Sequence, residues 1–283
     1  MIHDVWQQLF QFNQYGELVA LLRNSIIAGG VLGVVGGLIG VFVMSRDLAF
    51  AVHGVSELSF AGASAGLLLG IGVVTGALVG SLLAAILIGI LGARARNRNS
   101  IIAVLMPFGL GLGILCLSLY SGRAANKFGL LTGQIVAVDD PRLASLLVIC
   151  TLVVLGLLLA WRPLTFASID PEVARARRLP VNGLSIYFMV LLGLAVAVSI
   201  QIVGSLLVLS ILVTPAAAAL RVAISPVVVP LLSVLFAVVA MVGGIMLALG
   251  GSVPISPYVT TISFAIYVAC RLIGRRTLRS AHD

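Results

Sequence analysis

Charge is what this sequence has least of. Of 283 residues, 9% are charged and 61% are hydrophobic, whereas a soluble domain carries about a quarter of its residues charged. So few charges cannot keep the surface of a sphere wet, which excludes a water-soluble globule and leaves lipid as the main solvent. Acids number nine, and Lys127 is the single lysine among seventeen basic residues. Cysteine is sparse too: Cys116, Cys150 and Cys270 each lie inside an apolar run without Cys-x-x-Cys spacing, and so read as buried small hydrophobes. No Gly-x-x-x-x-Gly-Lys-Ser/Thr segment exists, so the chain has no phosphate-cradling loop of its own. His53-Gly-Val-Ser-Glu57 is not a His-Glu-x-x-His arrangement, and no second histidine lies in an apolar run to complete a catalytic zinc site. No Ser–His–Asp set can be assembled either, which argues against an intramembrane hydrolase. The amino terminus has no basic region followed by a cleavage site, and no removable signal peptide is expected.

What remains is length and hydrophobicity, with a mean hydropathy of +1.22. In hydrocarbon only helix bundles and closed barrels satisfy their own backbone. Barrels read as alternating segments of about ten residues, but this chain has unbroken runs such as Gly72–Ala93 and Leu143–Trp161. The fold class expected is therefore all-α: a polytopic helical membrane protein. Apolar runs at about 18–45, 48–70, 72–93, 101–120, 143–161, 184–203, 205–221, 226–248 and 254–273 give nine spans, within one either way. The second and seventh are short or broken by small residues. Residues 1–17, with Trp6, Phe10, Phe12 and Tyr15 among glutamines, read as an interfacial segment. Residues 18–275 are expected to form the membrane-spanning domain and 276–283 a C-terminal tail.

The arginines orient these spans. Arg46, the Arg94–Arg98 cluster, Arg162 with Arg175, Arg177 and Arg178, Arg221, and Arg271 with Arg275, Arg276 and Arg279 make five basic sites. With nine spans all five fall on one side, which the positive-inside rule makes cytoplasmic. The N-terminus is then outside and the C-terminus inside. The 121–142 segment mixes Arg123, Lys127 and Arg142 with Asp139 and Asp140, as suits a balanced outer loop. Glycine is frequent (31), concentrated at Gly29, Gly30, Gly33, Gly36, Gly37 and Gly40, then Gly76 and Gly80. Small residues at this spacing let membrane helices approach closely.

Ionisable groups away from span ends are costly in a bilayer and point to function. Between Leu48 and Val138 the only acid is Glu57 and the only histidine His53. Four residues apart on one helix, they emerge from the same face. Imidazole and carboxylate are ordinary ligands for zinc, manganese or iron(II); a structural His–Glu hydrogen bond between helices is the alternative. Ser56, Ser59 and Ser64 add hydroxyls to this helix. Two ligands per chain are few, but a twofold-related second copy would bring the number to four. His3 and His282 read as solvated bystanders. Thr214-Pro215 ends a run, and proline there is expected to break the ladder and release a short small-residue helix through Ala219 and Arg221 along the cytoplasmic surface. The polar loop 162–183, with Asp170, Glu172, Arg175, Arg177 and Arg178, is a second docking surface or a solvated linker.

The glycine-rich run ending in Arg46, the charged pair of the second helix, Gly129-Leu-Leu-Thr-Gly133, Asp170-x-x-x-Ala174, Ser205 through Ala219, and Gly250-Gly-Ser-Val-Pro254 together resemble the permease subunits of zinc/manganese/iron ABC importers, the ABC-3 family. The resemblance spans about residues 18–275. It implies a fold like that of the cobalamin and iron-siderophore importers, a type II ABC importer permease. It further implies a homodimer, a cytoplasmic ATP-binding subunit that hydrolyses ATP, and an extracytoplasmic metal-binding protein in a bacterial plasma membrane. On this reading the chain is no enzyme and holds no permanent cofactor; its cargo is Zn2+ or Mn2+, carried by His53 and Glu57. Thr214, Pro215, Ala219 and Arg221 couple to the ATPase. Many members carry an Asp followed four residues later by a His; here the order is reversed and Glu replaces Asp. An iron-siderophore or cobalamin permease and a stand-alone secondary metal carrier are the alternatives, although the carrier's usual repeats and intramembrane charges are missing.

Overall fold

Apolar segments in lipid must close their backbone hydrogen bonds internally, and this chain does so as helices. The computed structural model describes residues 22–92, 98–122, 138–248 and 255–279. Among these the order is α1 (Arg23–Ser45), α2 (Ala49–Leu69), α3 (Val73–Gly92), α4 (Arg98–Leu119), α5 (Asp140–Leu159), α6 (Trp161–Ile169), α7 (Pro171–Ala176), α8 (Val181–Val203), α9 (Ser205–Val222), α10 (Val228–Ala248) and α11 (Ile255–Arg279). No strand occurs among the described residues. Seven helices (α1, α3, α4, α5, α8, α10 and α11) are long and apolar enough to cross a membrane. The second and seventh expected runs are helices as well. α2 has 21 residues, its hydropathy lowered by His53, Glu57 and its serines, while the apolar stretch of α9, Leu207–Val222, is shorter. The expected interfacial segment 1–17, Arg94, Arg96, Arg123, Lys127, the Gly129–Gly133 and Gly250–Pro254 segments, and His3 and His282 lie outside the described residues.

Two compact units result. The first holds Met1–Val41, Gln134–Leu147 and Ser210–Asp283; the second holds Phe42–Gly133 and Val148–Leu209. In the first unit α1 presents glycines to two neighbours. A methyl at Gly33 would stand 2.8 Å from Val238 Cα of α10, and one at Gly36 would stand 2.6 Å from Ile211 Cγ2 of α9. Ser233 Oγ of α10 donates to the Gly37 carbonyl at 2.7 Å. Helices without a hydrophobic drive to associate gain their contact energy from such close approach. Asn24 Nδ2 donates to Asp140 Oδ1 at 2.7 Å, so α1 and α5 start at the same end. Gly274 of α11 abuts the carbonyl of Arg221 at the end of α9.

Pro215 does not break its helix. α9 runs through it from Ser205 to Val222, so no separate short helix follows the proline. The missing N–H costs one rung, to the Ile211 carbonyl, and that rung lies where Gly36 lets α1 pack close. Four alanines, Ala216 to Ala219, then favour helix continuation.

In the second unit α2 is central, packed against α3, α4 and α8. Its Gly62 meets Gly76 and Gly80 of α3 backbone to backbone. Gly113 of α4 accommodates the Phe60 ring, a methyl there standing 2.5 Å from Phe60 Cε1. Phe60, Ala63, Ala77, Leu117 and Ala197 form the buried cluster. The far side of α4 exposes Val104, Phe108 and Leu115, as a lipid-facing helix does. Gly70, at φ 73°, ends α2 in the left-handed conformation that glycine reaches without strain. Gly204, at φ 78°, lets α8 pass directly into α9.

The end of α1 is tied to α6. Phe42 meets Trp161 edge-on at 4.9 Å. Arg46 Nε donates to Ser168 Oγ at 2.7 Å, and its guanidinium lies 5.4 Å from the centroid of Phe188. α7 is short and depends on its cap: Asp170 Oδ1 accepts from the N–H groups of Glu172 and Val173, both at 3.0 Å, with Pro171 at the first position. Asp170→Ala should cost about 1 kcal/mol in thermal unfolding of the detergent-solubilised chain. Asp170→Asn should lose far less, since its amide oxygen accepts the same bonds.

Candidate transport site

α2 turns its polar side chains in different directions. Ser56 Oγ donates to the Ser205 carbonyl at 3.2 Å and Ser59 Oγ to the Ala77 carbonyl at 3.0 Å. Both hydroxyls are thus spent on neighbouring backbone. His53 and Glu57 are not spent that way. His53 Nε2 lies 3.8 Å from Glu57 Oε1, with the two side chains 33% and 6% exposed. His53 Nδ1 and Glu57 Oε2 are buried and have no hydrogen-bond partner. The structure therefore brings the two expected ligands together as the sequence spacing demands.

Close helix packing supports the pair. Gly109 of α4 sits under Glu57, where a methyl would come within 3.1 Å of the Glu57 carbonyl carbon. Gly54 faces Ile102 of α4, a methyl there reaching 2.9 Å from Ile102 Cγ2. The backbone carrying both residues is thus pinned by α4. Two ligand atoms about 2.1 Å from one tetrahedral ion stand about 3.4 Å apart. The observed 3.8 Å needs only a few tenths of an ångström of adjustment.

Among the described residues no group of three or more His, Cys, Asp and Glu side chains could hold an ion by itself. Cys116, Cys150 and Cys270 are unpaired thiols. The described residues of a single chain therefore offer at most a partial shell.

Of the expected coupling residues, Pro215 and Ala219 are buried, Thr214 is half-buried and Arg221 is exposed. The 161–178 segment presents more: Arg162, Glu172, Arg175, Arg177 and Arg178 are exposed beside Ile169 and Val173. The sequence offered this segment only as a second docking surface because solvated linkers have the same composition; the Arg46 anchor that makes it a fixed surface is tertiary.

A many-helix membrane bundle with a buried His–Glu pair on a central helix fits the membrane-spanning permease of a transporter. The chain belongs to the ABC 3 transport family, whose model matches residues 19–274. It is 28% identical over 225 residues to the manganese transport system membrane protein MntC of Halalkalibacterium halodurans, covering 79% of this chain and 77% of that protein. It is 23% identical over 249 residues to the high-affinity zinc uptake system membrane protein ZnuB of Haemophilus influenzae, covering 88% and 95%. The solved structure of PsaBC from Streptococcus pneumoniae in complex with Fab superposes with a TM-score of 0.82 at 26% identity, covering 92% of this chain and 95% of that one.

Proposed function

We propose that this chain is the membrane-spanning subunit of an ATP-driven importer of a divalent transition metal, zinc or manganese. The observation that carries the reading is the His53–Glu57 pair, its buried Nδ1 and Oε2 unpartnered on the most polar central helix. Relatives named for manganese and for zinc support the cargo class. Imidazole with carboxylate suits zinc well and manganese acceptably. Two copies facing each other across a twofold axis would supply four ligands, so the importer is a homodimer on this reading.

ATP is hydrolysed by a separate cytoplasmic subunit, since no phosphate-binding loop exists in this sequence. That subunit couples to the end of α9 at the exposed Arg221, with Thr214, Pro215 and Ala219 shaping the helix behind it; α6–α7, with the exposed Arg177 and Arg178, is by itself a second docking surface. A metal-binding protein delivers the ion from outside. The N-terminus is outside the plasma membrane and the C-terminus cytoplasmic. Two pairings support this: Arg46 meets the 161–178 segment, and Arg221 meets α11 near its basic end.

The purified chain alone is expected to hydrolyse no ATP, and to show metal-stimulated hydrolysis once co-purified with its ATP-binding partner. Arg177→Glu with Arg178→Glu should weaken co-purification without altering the helical circular dichroism of the chain. ATPase activity of the chain by itself, or unchanged co-purification of that variant, would remove the docking assignment.

A further inference from the structure

α2 carries three buried polar atoms without a hydrogen-bond partner: His53 Nδ1, Glu57 Oε2 and Ser64 Oγ. They do not scatter around the helix. At 100° per residue, Ser64 follows Glu57 by seven residues and falls about 20° from it in azimuth, about 10 Å further along the axis. All three residues therefore share one stripe. Exposure falls along it: His53 is partly open, Glu57 is 5% exposed and Ser64 is 0% exposed.

Ser64 is unlike the other hydroxyls of its helix. Ser56 and Ser59, on other faces, donate to the Ser205 and Ala77 carbonyls. A buried hydroxyl without a partner is costly. Serines inside helices commonly relieve that cost by bonding back to the preceding turn, as Ser199 does to Ala195 in α8. Ser64 makes no such bond. Its oxygen is available to something that the folded chain does not itself provide.

Resting on the reading of His53 and Glu57 as the ion's ligands, we propose that Ser64 is a further station on the path: a neutral oxygen, two helical turns to the outer side of the pair, that holds a partly dehydrated divalent metal before it reaches His53 and Glu57. A hydroxyl binds such an ion more weakly than imidazole with carboxylate. It therefore allows the ion to move on, as multi-site conduction requires.

The test is uptake by cells or proteoliposomes carrying the intact transporter with its ATP-binding subunit. Ser64→Ala, which conserves size and removes only the oxygen, should lower the maximal uptake rate about fivefold, while metal bound at equilibrium by the purified complex stays at the wild-type level. Ser64→Cys places a soft ligand on the path and should make manganese uptake sensitive to cadmium at concentrations that spare the wild type. That second variant decides the matter if Ser64→Ala fails to assemble. A wild-type rate in Ser64→Ala, or a Ser64→Cys transporter as indifferent to cadmium as its parent, overturns the proposal. If His53→Ala and Glu57→Ala stop transport in the same assay, only the Ser64 station falls; if they too transport normally, the ligand assignment beneath it falls as well.

Discussion

Cells whose only copy of this chain carries Glu57→Ala, or His53→Ala, should accumulate no more zinc or manganese than cells lacking the chain. On the proposed reading each substitution removes one of the two ligands that a chain contributes; in a paired arrangement it removes two of four. Loss of even a supporting group around a bound metal typically costs about 10–100-fold in affinity or activity, and loss of a direct ligand costs at least as much. The effect should fall on transport and not on folding. Glu57 Oε2 and His53 Nδ1 make no hydrogen bond within the chain, so shortening either side chain leaves few partners orphaned. Glu57→Ala even relieves a carboxyl buried between helices. The variant complex should therefore purify intact with its ATP-binding subunit while metal no longer stimulates ATP hydrolysis. Glu57→Asp keeps the carboxylate on a shorter arm and should retain part of the uptake. Normal accumulation in both alanine variants would refute the assignment of α2 as the ion's helix.

The second large effect concerns the packing that holds α2 in place. Gly62 and Gly76 face each other so closely that a methyl on either would collide with the other's carbonyl oxygen. Neither contact can relax by a side-chain turn, because backbone lies on both sides. Gly62→Leu or Gly76→Leu should force α2 and α3 apart and tear the buried cluster of Phe60, Ala63 and Ala77. Overpacking of this kind typically costs about 1–3 kcal/mol and sometimes more, enough to deplete folded protein in the membrane. Size-exclusion chromatography of detergent extracts should show the loss as aggregated or absent chain. Gly30→Leu is the control: nothing lies within 4 Å of a methyl built there, and that variant should extract normally. Equal yields for all three would mean that the α2–α3 contact is looser than the structure has it.

Much of the architecture was legible in sequence because the bilayer imposes a single rule on every segment. Hydrophobic run length alone located nine helices, of which seven among the described residues are long and apolar enough to span a membrane, and α8 and α9 part at Gly204, where the sequence showed a boundary. The weak points were also visible: His53, Glu57 and the serines make α2 the least span-like full-length helix, and α9 is short. The pairing of His53 with Glu57 was legible because four-residue spacing on a helix guarantees a shared face.

What the sequence hid depends on neighbours distant along the chain. Ser56, Ser59 and Ser64 look alike as letters, yet two are occupied by the Ser205 and Ala77 carbonyls and the third is not. Pro215 carries the local signal for a break, but the tight seat of α1 at Gly36 and the alanines that follow keep α9 whole. The glycines of α1 announced close packing without saying that alternate ones serve different helices, Gly33 toward α10 and Gly36 toward α9. The polar segment after α5 read equally well as linker or docking surface until Arg46, more than a hundred residues earlier, was seen to hold it.

The most direct measurement is the metal content of the purified, ATP-free transporter after equilibration with zinc or manganese, comparing the wild type with a His53→Ala, Glu57→Ala double variant of equal assembly. If His53 and Glu57 of two chains share the ion, the wild type retains one ion per pair of chains and the double variant retains none. The same ion content in both would contradict the account.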